Sequence, residues 1–194
     1  MIQTIENLSK AFAGESMARN RYTIYSKIAM NEWYDQIGEI FLLTADNERE
    51  HAKWIFRMIS DIKKSQDLAM EEIIVEAWIP NILSSTIENL QSAIEGEEYE
   101  FLTMYPEFAE IAKQEWFPEI AARLQAIAIA ENHHKQRFEK LLNQLENGTF
   151  FEKGEPVAWV CRKCGYVHTG KKPPLKCPSC GHETPYFQLM CEEF

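Results

Sequence analysis

Residues 45–53 read ADNEREHAK and residues 128–135 read AIAENHHK. Each stretch holds a Glu-x-x-His pair, Glu48/His51 in the first and Glu131/His134 in the second. On an α-helix this spacing puts carboxylate and imidazole one turn apart on the same face. One such pair is a weak signal, because a single helical glutamate is ordinarily a solvated residue. Here both pairs fall on a stripe of apolar residues, Ile37, Phe41, Ala45, Ile55 and Ile59 around the first and Ile120, Leu124, Ile127, Phe138, Leu141 and Leu145 around the second. The stripe is the face a helix turns to its core.

Outward from these pairs, residues 3 to about 146 keep apolar residues at helical spacing. The pattern predicts helices over about 3–30, 35–64, 82–114 and 118–146, with short links inside each pair and a long one, about 65–81, between the pairs. Within that link DLAMEEIIVEAW reads as a short helix of its own. Pro118 suits a first helical turn, and Pro106 should kink the third helix. Shifting the chain by 83 residues lays Glu15 on Glu98, Tyr22 on Tyr105, Glu32-Trp33 on Glu115-Trp116, Glu48 on Glu131 and His51 on His134. Ten of the 37 positions from 15 to 51 match. Two related helix pairs about a pseudo-two-fold axis make a four-helix bundle with one long crossover.

The other two stripes also carry a glutamate at their middle: Ile5, Leu8, Phe12, Glu15 and Tyr22 on the first helix, and Leu83, Leu90, Ile94, Glu97, Phe101 and Met104 on the third. Four facing carboxylates in a core repel one another and disfavour ionisation unless something positive sits among them. Two divalent metals meet that need. One Glu from each of two helices and Glu-x-x-His from each of the others is the ligand plan of carboxylate-bridged di-iron or di-manganese bundles. By that plan Glu48 and Glu131 bridge, His51 and His134 sit at opposite metals, and Glu15 and Glu97 are terminal. His133 points off the stripe. The 83-residue shift pairs Glu15 with Glu98, but the stripe and the shared Gly-Glu (Gly14-Glu15, Gly96-Glu97) favour Glu97. Glu15 to Tyr22 is seven residues and Glu97 to Tyr105 is eight, so a π-bulge is predicted between 97 and 105. Glu100, one turn after Glu97, also faces the site as a fifth inner carboxylate.

Composition narrows the function classes. With 20 Lys+Arg against 30 Asp+Glu the 194-residue chain has a formal charge of −10, which disfavours a nucleic-acid binder or a basic membrane-surface protein. No apolar run approaches the ~18 residues of a membrane helix. The N-terminal MIQTIENLSKAFAGES shows no secretory signal, so a cytoplasmic location is the expectation.

All five cysteines lie after residue 160, which argues for a metal site rather than a disulfide framework. Cys161-Arg-Lys-Cys164-Gly165 and Cys177-Pro-Ser-Cys180-Gly181 are two Cys-x-x-Cys-Gly knuckles twelve residues apart. They predict a tetrathiolate site, and the spacing does not choose between zinc and iron. Cys191 reads as a free thiol, and His168 and His182 as ordinary surface residues. The organisation expected is a bundle over 1–146, a linker over 147–156 and a metal-binding domain over 157–194. The linker's ten residues span at most about 33–36 Å.

The two parts together resemble rubrerythrin over essentially the whole chain. The matching segments are AGESMARNRY ending at Tyr22, EREHAK from Glu48, GEEYE from Gly96 to Glu100 followed by Met-Tyr105-Pro, AENHH ending at His134, and WVCRKCGYVH from Trp159. The resemblance implies a mainly α, ferritin-like di-iron bundle fused to a small rubredoxin-like Fe(Cys)₄ domain, dimeric or larger. It implies a peroxidase that reduces hydrogen peroxide to water, NAD(P)H-linked through a separate reductase or rubredoxin as electron donor, in oxidative-stress defence. Glu100 carries over as an extra ligand that exchanges with His51 as one iron changes oxidation state, and Tyr22 and Tyr105 as partners of the terminal glutamates. Iron storage in a cage and a zinc-ribbon scaffold are the competing readings. The first leaves the redox tail and Glu100 unexplained, the second the core glutamates. Residues 157–194 carry five Lys/Arg and three Glu, so a mildly basic tail is expected to dock on an acidic bundle by charge.

Overall fold

In a computed structural model, which describes residues 2–69 and 71–191, the chain forms two helical hairpins followed by a small sheet. The first hairpin is α1 (Gln3–Asn31) and α2 (Asp35–Ser65). The second is α3 (Thr86–Tyr99), a π-helical segment (Glu100–Met104), α4 (Tyr105–Gln114) and α5 (Pro118–Glu146). The third helix therefore begins four residues later than its periodicity predicts. Ser85 supplies the reason: its hydroxyl accepts the Glu88 N–H while the Glu88 carboxylate accepts the Ser85 N–H, a capping box that fixes the start. Leu83 lies outside the helix and is exposed, so it does not belong to the stripe.

The interruption near Pro106 takes the form of the π segment, with Pro106 in the first turn of α4, where its missing N–H costs nothing. The short helix expected in 67–78 is absent among the described residues, which form no regular element after the turn at Asp67. Asp67 takes a left-handed φ of 51° and Leu68 N–H returns to Lys63 O at 2.8 Å, closing α2. Lys63 then anchors the crossover by donating to Glu71 O at 2.7 Å. Three successive β-branched residues, Ile73, Ile74 and Val75, add little helix propensity there.

The hairpins are tied by reciprocal caps. Glu115, at the end of α4, accepts N–H bonds from Gln3 and Thr4 at the start of α1, at 2.9 and 2.7 Å. Glu32, at the end of α1, accepts the Thr86 N–H at the start of α3, at 3.0 Å. Each carboxylate satisfies orphan donors and meets the positive end of a helix dipole. The residues that follow, Trp33 and Trp116, both take left-handed φ values, 69° and 67°.

The repeat is sharper than a single shift reveals. Thr4-Ile5-Glu6-Asn7-Leu8 recurs unchanged as Thr86-Ile87-Glu88-Asn89-Leu90, an offset of 82, whereas beyond the π segment the offset is 83. The π segment is where the extra residue is taken up.

Two apolar clusters fill the bundle. One contains Leu8, Ile55, Ile59, Leu124 and Tyr105, and the other Tyr22, Ile37, Phe41, Leu90 and Phe138. On all four long stripes the glutamate falls where the chain passes from one cluster to the other, so the carboxylates form a polar layer across the middle. The tail is a three-stranded antiparallel sheet of order β2-β1-β3, with β1 Val157–Cys161, β2 Val167–Gly170 and β3 Phe187–Leu189. Its core is Trp159, Cys161, Cys177 and Phe187. No described helix is long and apolar enough to cross a membrane.

Candidate metal centres

The polar layer gathers ligand-type atoms into two overlapping sets: Glu15, Glu48, His51 and Glu131, and Glu48, Glu97, Glu131 and His134. Within each set one ligand atom per residue lies within 4.8 Å of all the others. Glu48 and Glu131 belong to both sets. His51 Nδ1 lies 3.0 Å from Glu48 Oε2, 3.0 Å from Glu131 Oε1 and 3.6 Å from Glu15 Oε2. His134 Nδ1 lies 3.1 Å from Glu48 Oε1, 3.3 Å from Glu97 Oε2 and 2.8 Å from Glu131 Oε2.

The structure brings in Glu97 and leaves Glu98 exposed, paired with Lys135. His133 is exposed as well. Glu100 stands near the layer but outside both sets, its carboxyl against the α1 backbone at Gly14. Where α3 and the π segment present Glu100, α1 presents the buried Ala18 at the corresponding offset of 82.

Electrostatics show what the layer lacks. Burial, and then the neighbouring glutamates, push Glu15 and Glu100 well above the usual carboxylate range. Burial likewise lifts Glu97 to about 8. Burial also opposes ionisation of Glu48, but the facing imidazoles of His134 and His51 outweigh it and hold its carboxyl at about 2. Burial would make His134 less basic, yet the carboxylates of Glu131, Glu48 and Glu97 facing it lift it to about 12. His51 rises too, against burial, through Glu131, Glu15 and Glu48. Without metal, the layer draws in protons.

Its donor atoms are nevertheless aimed at one another. Glu15 Oε2, Glu48 Oε1, Glu97 Oε2, both oxygens of Glu131 and His134 Nδ1 are buried with no hydrogen-bond partner among the described residues. They lie within ion-pair range of the imidazoles without making hydrogen bonds, a costly arrangement unless cations sit between them. Oxygen and imidazole donors in this number suit a pair of iron or manganese ions. The residues fit.

Two tyrosines hold Glu97 and Glu15 across the bundle. Tyr22 O–H donates to Glu97 Oε1 at 2.5 Å, and Tyr105 O–H donates to Glu15 Oε1. Burial, then the nearby glutamates, raise both phenols well above their usual value and keep them donors. Asn47 was not anticipated: its Oδ1 lies 3.3 Å from His134 Nε2. An asparagine beside a helical glutamate carries no sequence signal of that role.

The layer is sealed at its carboxylates and open at His51, whose side chain keeps 16% of its surface against 3% for His134. A cavity of about 210 Å³ reaches it, lined by Glu50, His51, Trp54, Arg123, Ala126 and Ile127. Arg123 and Arg57 stack on Trp54 at 4.3 and 4.9 Å from the ring centroid.

In the tail, Cys161, Cys164, Cys177 and Cys180 converge, with Sγ separations of 3.7 Å for Cys161–Cys180 and 3.6 Å for Cys164–Cys177. Gly165 and Gly181 take φ of 75° and 77°, and their N–H groups close each knuckle on Cys161 O and Cys177 O. The Tyr166 backbone N–H bonds Cys164 and draws its thiol down to about 6. The His182 N–H bonds Cys180, yet burial and the other three thiols push that one up to about 12. One thiol gives up its proton early and another keeps it, as expected of four sulfurs crowded round a cation's place. His182 is no ordinary surface residue: its Nδ1 is 3.3 Å from Cys180 Sγ. Cys191 is exposed and free.

Fold and donor sets define a non-haem di-iron bundle joined to a mononuclear tetrathiolate domain. The family model described as Rubrerythrin matches residues 6–142, and that of the rubrerythrin rubredoxin-like domain matches 159–188. A putative rubrerythrin from Methanocaldococcus jannaschii is 56% identical over 100% of this chain and 96% of its own. Rubrerythrin from Clostridium perfringens is 45% identical over 99% and 96%. The structure of fully reduced, all-ferrous nigerythrin superposes with a TM-score of 0.63 at 29% identity, over 96% of this chain and 86% of that one. The chain belongs to the rubrerythrin family, whose members are oxidoreductases with a di-iron bundle and a rubredoxin-like iron domain.

Proposed function

We propose that the protein is a peroxidase that reduces hydrogen peroxide to two waters, taking two protons and two electrons per turnover. Glu15, Glu48, His51 and Glu131 would hold one iron and Glu48, Glu97, Glu131 and His134 the other, with Glu48 and Glu131 shared. When bound, the ferrous pair supplies the two electrons that cleave the O–O bond. Cys161, Cys164, Cys177 and Cys180 would hold the one-electron iron that passes electrons inward from a separate reductase or rubredoxin.

The chain's own residues do the rest. The shared carboxylates neutralise the cations' charge, and Tyr22 and Tyr105 fix the terminal carboxylates from the opposite hairpin. The cavity at His51 admits a molecule as small as peroxide while the apolar clusters shut water from the other side. Glu100 offers a further anionic donor beside Glu15, the neighbour that acts on it most strongly, and Glu15 belongs to the His51 set. A carboxylate supports a more highly charged metal better than neutral imidazole does. The observation that carries this reading is a buried carboxylate layer whose opening is at His51, in one chain with a tetrathiolate site.

The test is metal analysis with visible spectra of reduced protein before and after peroxide. Iron at both centres and reoxidation at two electrons per peroxide are expected. Zinc in the tail, or no spectral response, would overturn the electron-relay role. Glu131→Ala removes a shared ligand and is expected to abolish turnover, and full activity in that variant would refute the site.

A further inference from the structure

The bundle's two halves are near copies, so the positions where they differ carry information. The ligands, the tyrosines that hold Glu15 and Glu97, and the capping glutamates all have counterparts across the pseudo-two-fold. The residue behind each imidazole does not. Asn47, one position before Glu48, places Oδ1 3.3 Å from Nε2 of His134, on the opposite helix. An amide oxygen only accepts, so the contact calls for the proton on Nε2 of His134, which leaves the Nδ1 lone pair for a cation held among Glu48, Glu97 and Glu131.

The counterpart of Asn47 is Ala130, one position before Glu131. A methyl group accepts nothing, and on that side the cavity opens against His51. The difference extends one shell outward. Arg137 covers the His134 side and donates to Thr44 Oγ1 at 2.5 Å, whereas its counterpart at the 83-residue offset is Trp54, in the cavity wall.

We infer that Asn47 is a positioning residue that fixes the tautomer and orientation of His134, and that Ala130, by withholding the same support, leaves His51 the looser of the two imidazoles. This rests on the di-iron reading above. The other break in the repeat, the π segment that carries Glu100, sets a spare carboxylate against Gly14, the neighbour in sequence of Glu15, whose set contains the unsupported imidazole. The two asymmetries make the bundle unequal: the His134 imidazole has an acceptor behind it and the His51 imidazole faces a cavity.

The test is anaerobic ferrous titration of the full chain, with the bundle ions counted apart from the tail iron by the tetrathiolate absorption. The wild-type bundle should bind two ions. Asn47→Leu should weaken one of them about 10- to 100-fold, the usual cost of losing an imidazole's outer partner, and leave the other unchanged. Asn47→Asp keeps an acceptor and should restore it. The melting temperature of the metal-free chain should be the same in all three, which separates positioning from folding. Ala130→Asn approaches from the other side and should tighten the weaker ion. Wild-type isotherms in Asn47→Leu, or no rescue by Asn47→Asp, overturn the Asn47 role and leave the peroxidase reading standing. An unchanged isotherm in Ala130→Asn overturns the account of His51. A wild-type bundle that binds fewer than two ions overturns this proposal and the di-iron reading together.

Discussion

Tyr22, buried on α1, donates its hydroxyl to Glu97 Oε1 on α3 at 2.5 Å. The bond crosses from one hairpin to the other, so it ties the site's geometry to the way the hairpins pack. Its ring sits among Tyr25, Phe41 and Phe138, with centroids 6.2, 5.8 and 5.5 Å away. Tyr22→Phe keeps that packing and deletes the bond. A hydrogen bond to a charged group contributes ~1.5–3 kcal/mol. Ferrous titration should therefore show the His134-side ion binding about tenfold or more weakly. Unchanged affinity would mean that Glu97 is held by packing alone.

The metal-free chain should lose stability as pH rises. Glu97 sits at about 8 in the folded state, and His134 at about 12, both above their ordinary values. Groups raised on folding add stability that is fully present below their unfolded pKa and lost as pH passes toward the folded one. Glu48 is lowered to about 2, so its opposite effect is complete before pH 5. Urea denaturation of metal-free protein should give a lower midpoint at pH 8 than at pH 5. Bound ferrous ions replace the protons, so the loaded protein should show a flatter profile. A metal-free chain more stable at pH 8 would contradict the buried-carboxylate account.

Helical periodicity, the stripe glutamates and the cysteine knuckles were legible because each rests on local spacing. Glu97 could be preferred to Glu98 on the same ground, and the one-residue excess before Tyr105 pointed to the π segment. Yet the gapless shift of 83 hid the identical Thr4–Leu8 and Thr86–Leu90 blocks, whose offset changes by one across that segment. The crossover misled because Ile74 and Trp78 face outward at 93% and 88% exposure, so its apolar content does not report a helix face. Asn47 and His182 could not be found from local pattern. Their partners, His134 and Cys180, meet them only after a helix crosses or a knuckle closes.

Cys164→Ser should separate the two centres. The Tyr166 N–H that lowers the Cys164 thiol to about 6 makes this sulfur ready to bind metal as thiolate. Replacing it removes one of four ligands without touching the bundle. Turnover driven by an external donor should fall by at least about tenfold, because losing a direct ligand costs no less than losing a ligand's outer hydrogen-bond partner. Peroxide added to the chemically pre-reduced variant should still oxidise the bundle in a single turnover at the wild-type rate. Donor-driven turnover that survives would show electrons entering the bundle directly.

Docking of the tail on its own bundle should depend little on salt. The charge split between the two parts predicts an electrostatic contact, and one is present: Arg162 pairs with Glu39 of α2. Glu39 is 61% exposed, however, and such pairs contribute ~0–1 kcal/mol. The larger contact is apolar. Phe150 is 8% exposed, packs edge-on against Tyr34 at 5.7 Å and stands with Phe151, Leu141, Trp159 and Phe187 around one small crevice. Burying a phenyl ring outweighs a screened surface pair. Glu39→Gln should thus leave protease cleavage of residues 147–156 unchanged at low and high salt, whereas Phe150→Ala should speed it severalfold at both. Cleavage that accelerates with salt in the wild type, and equally in Glu39→Gln without salt, would return the docking to charge.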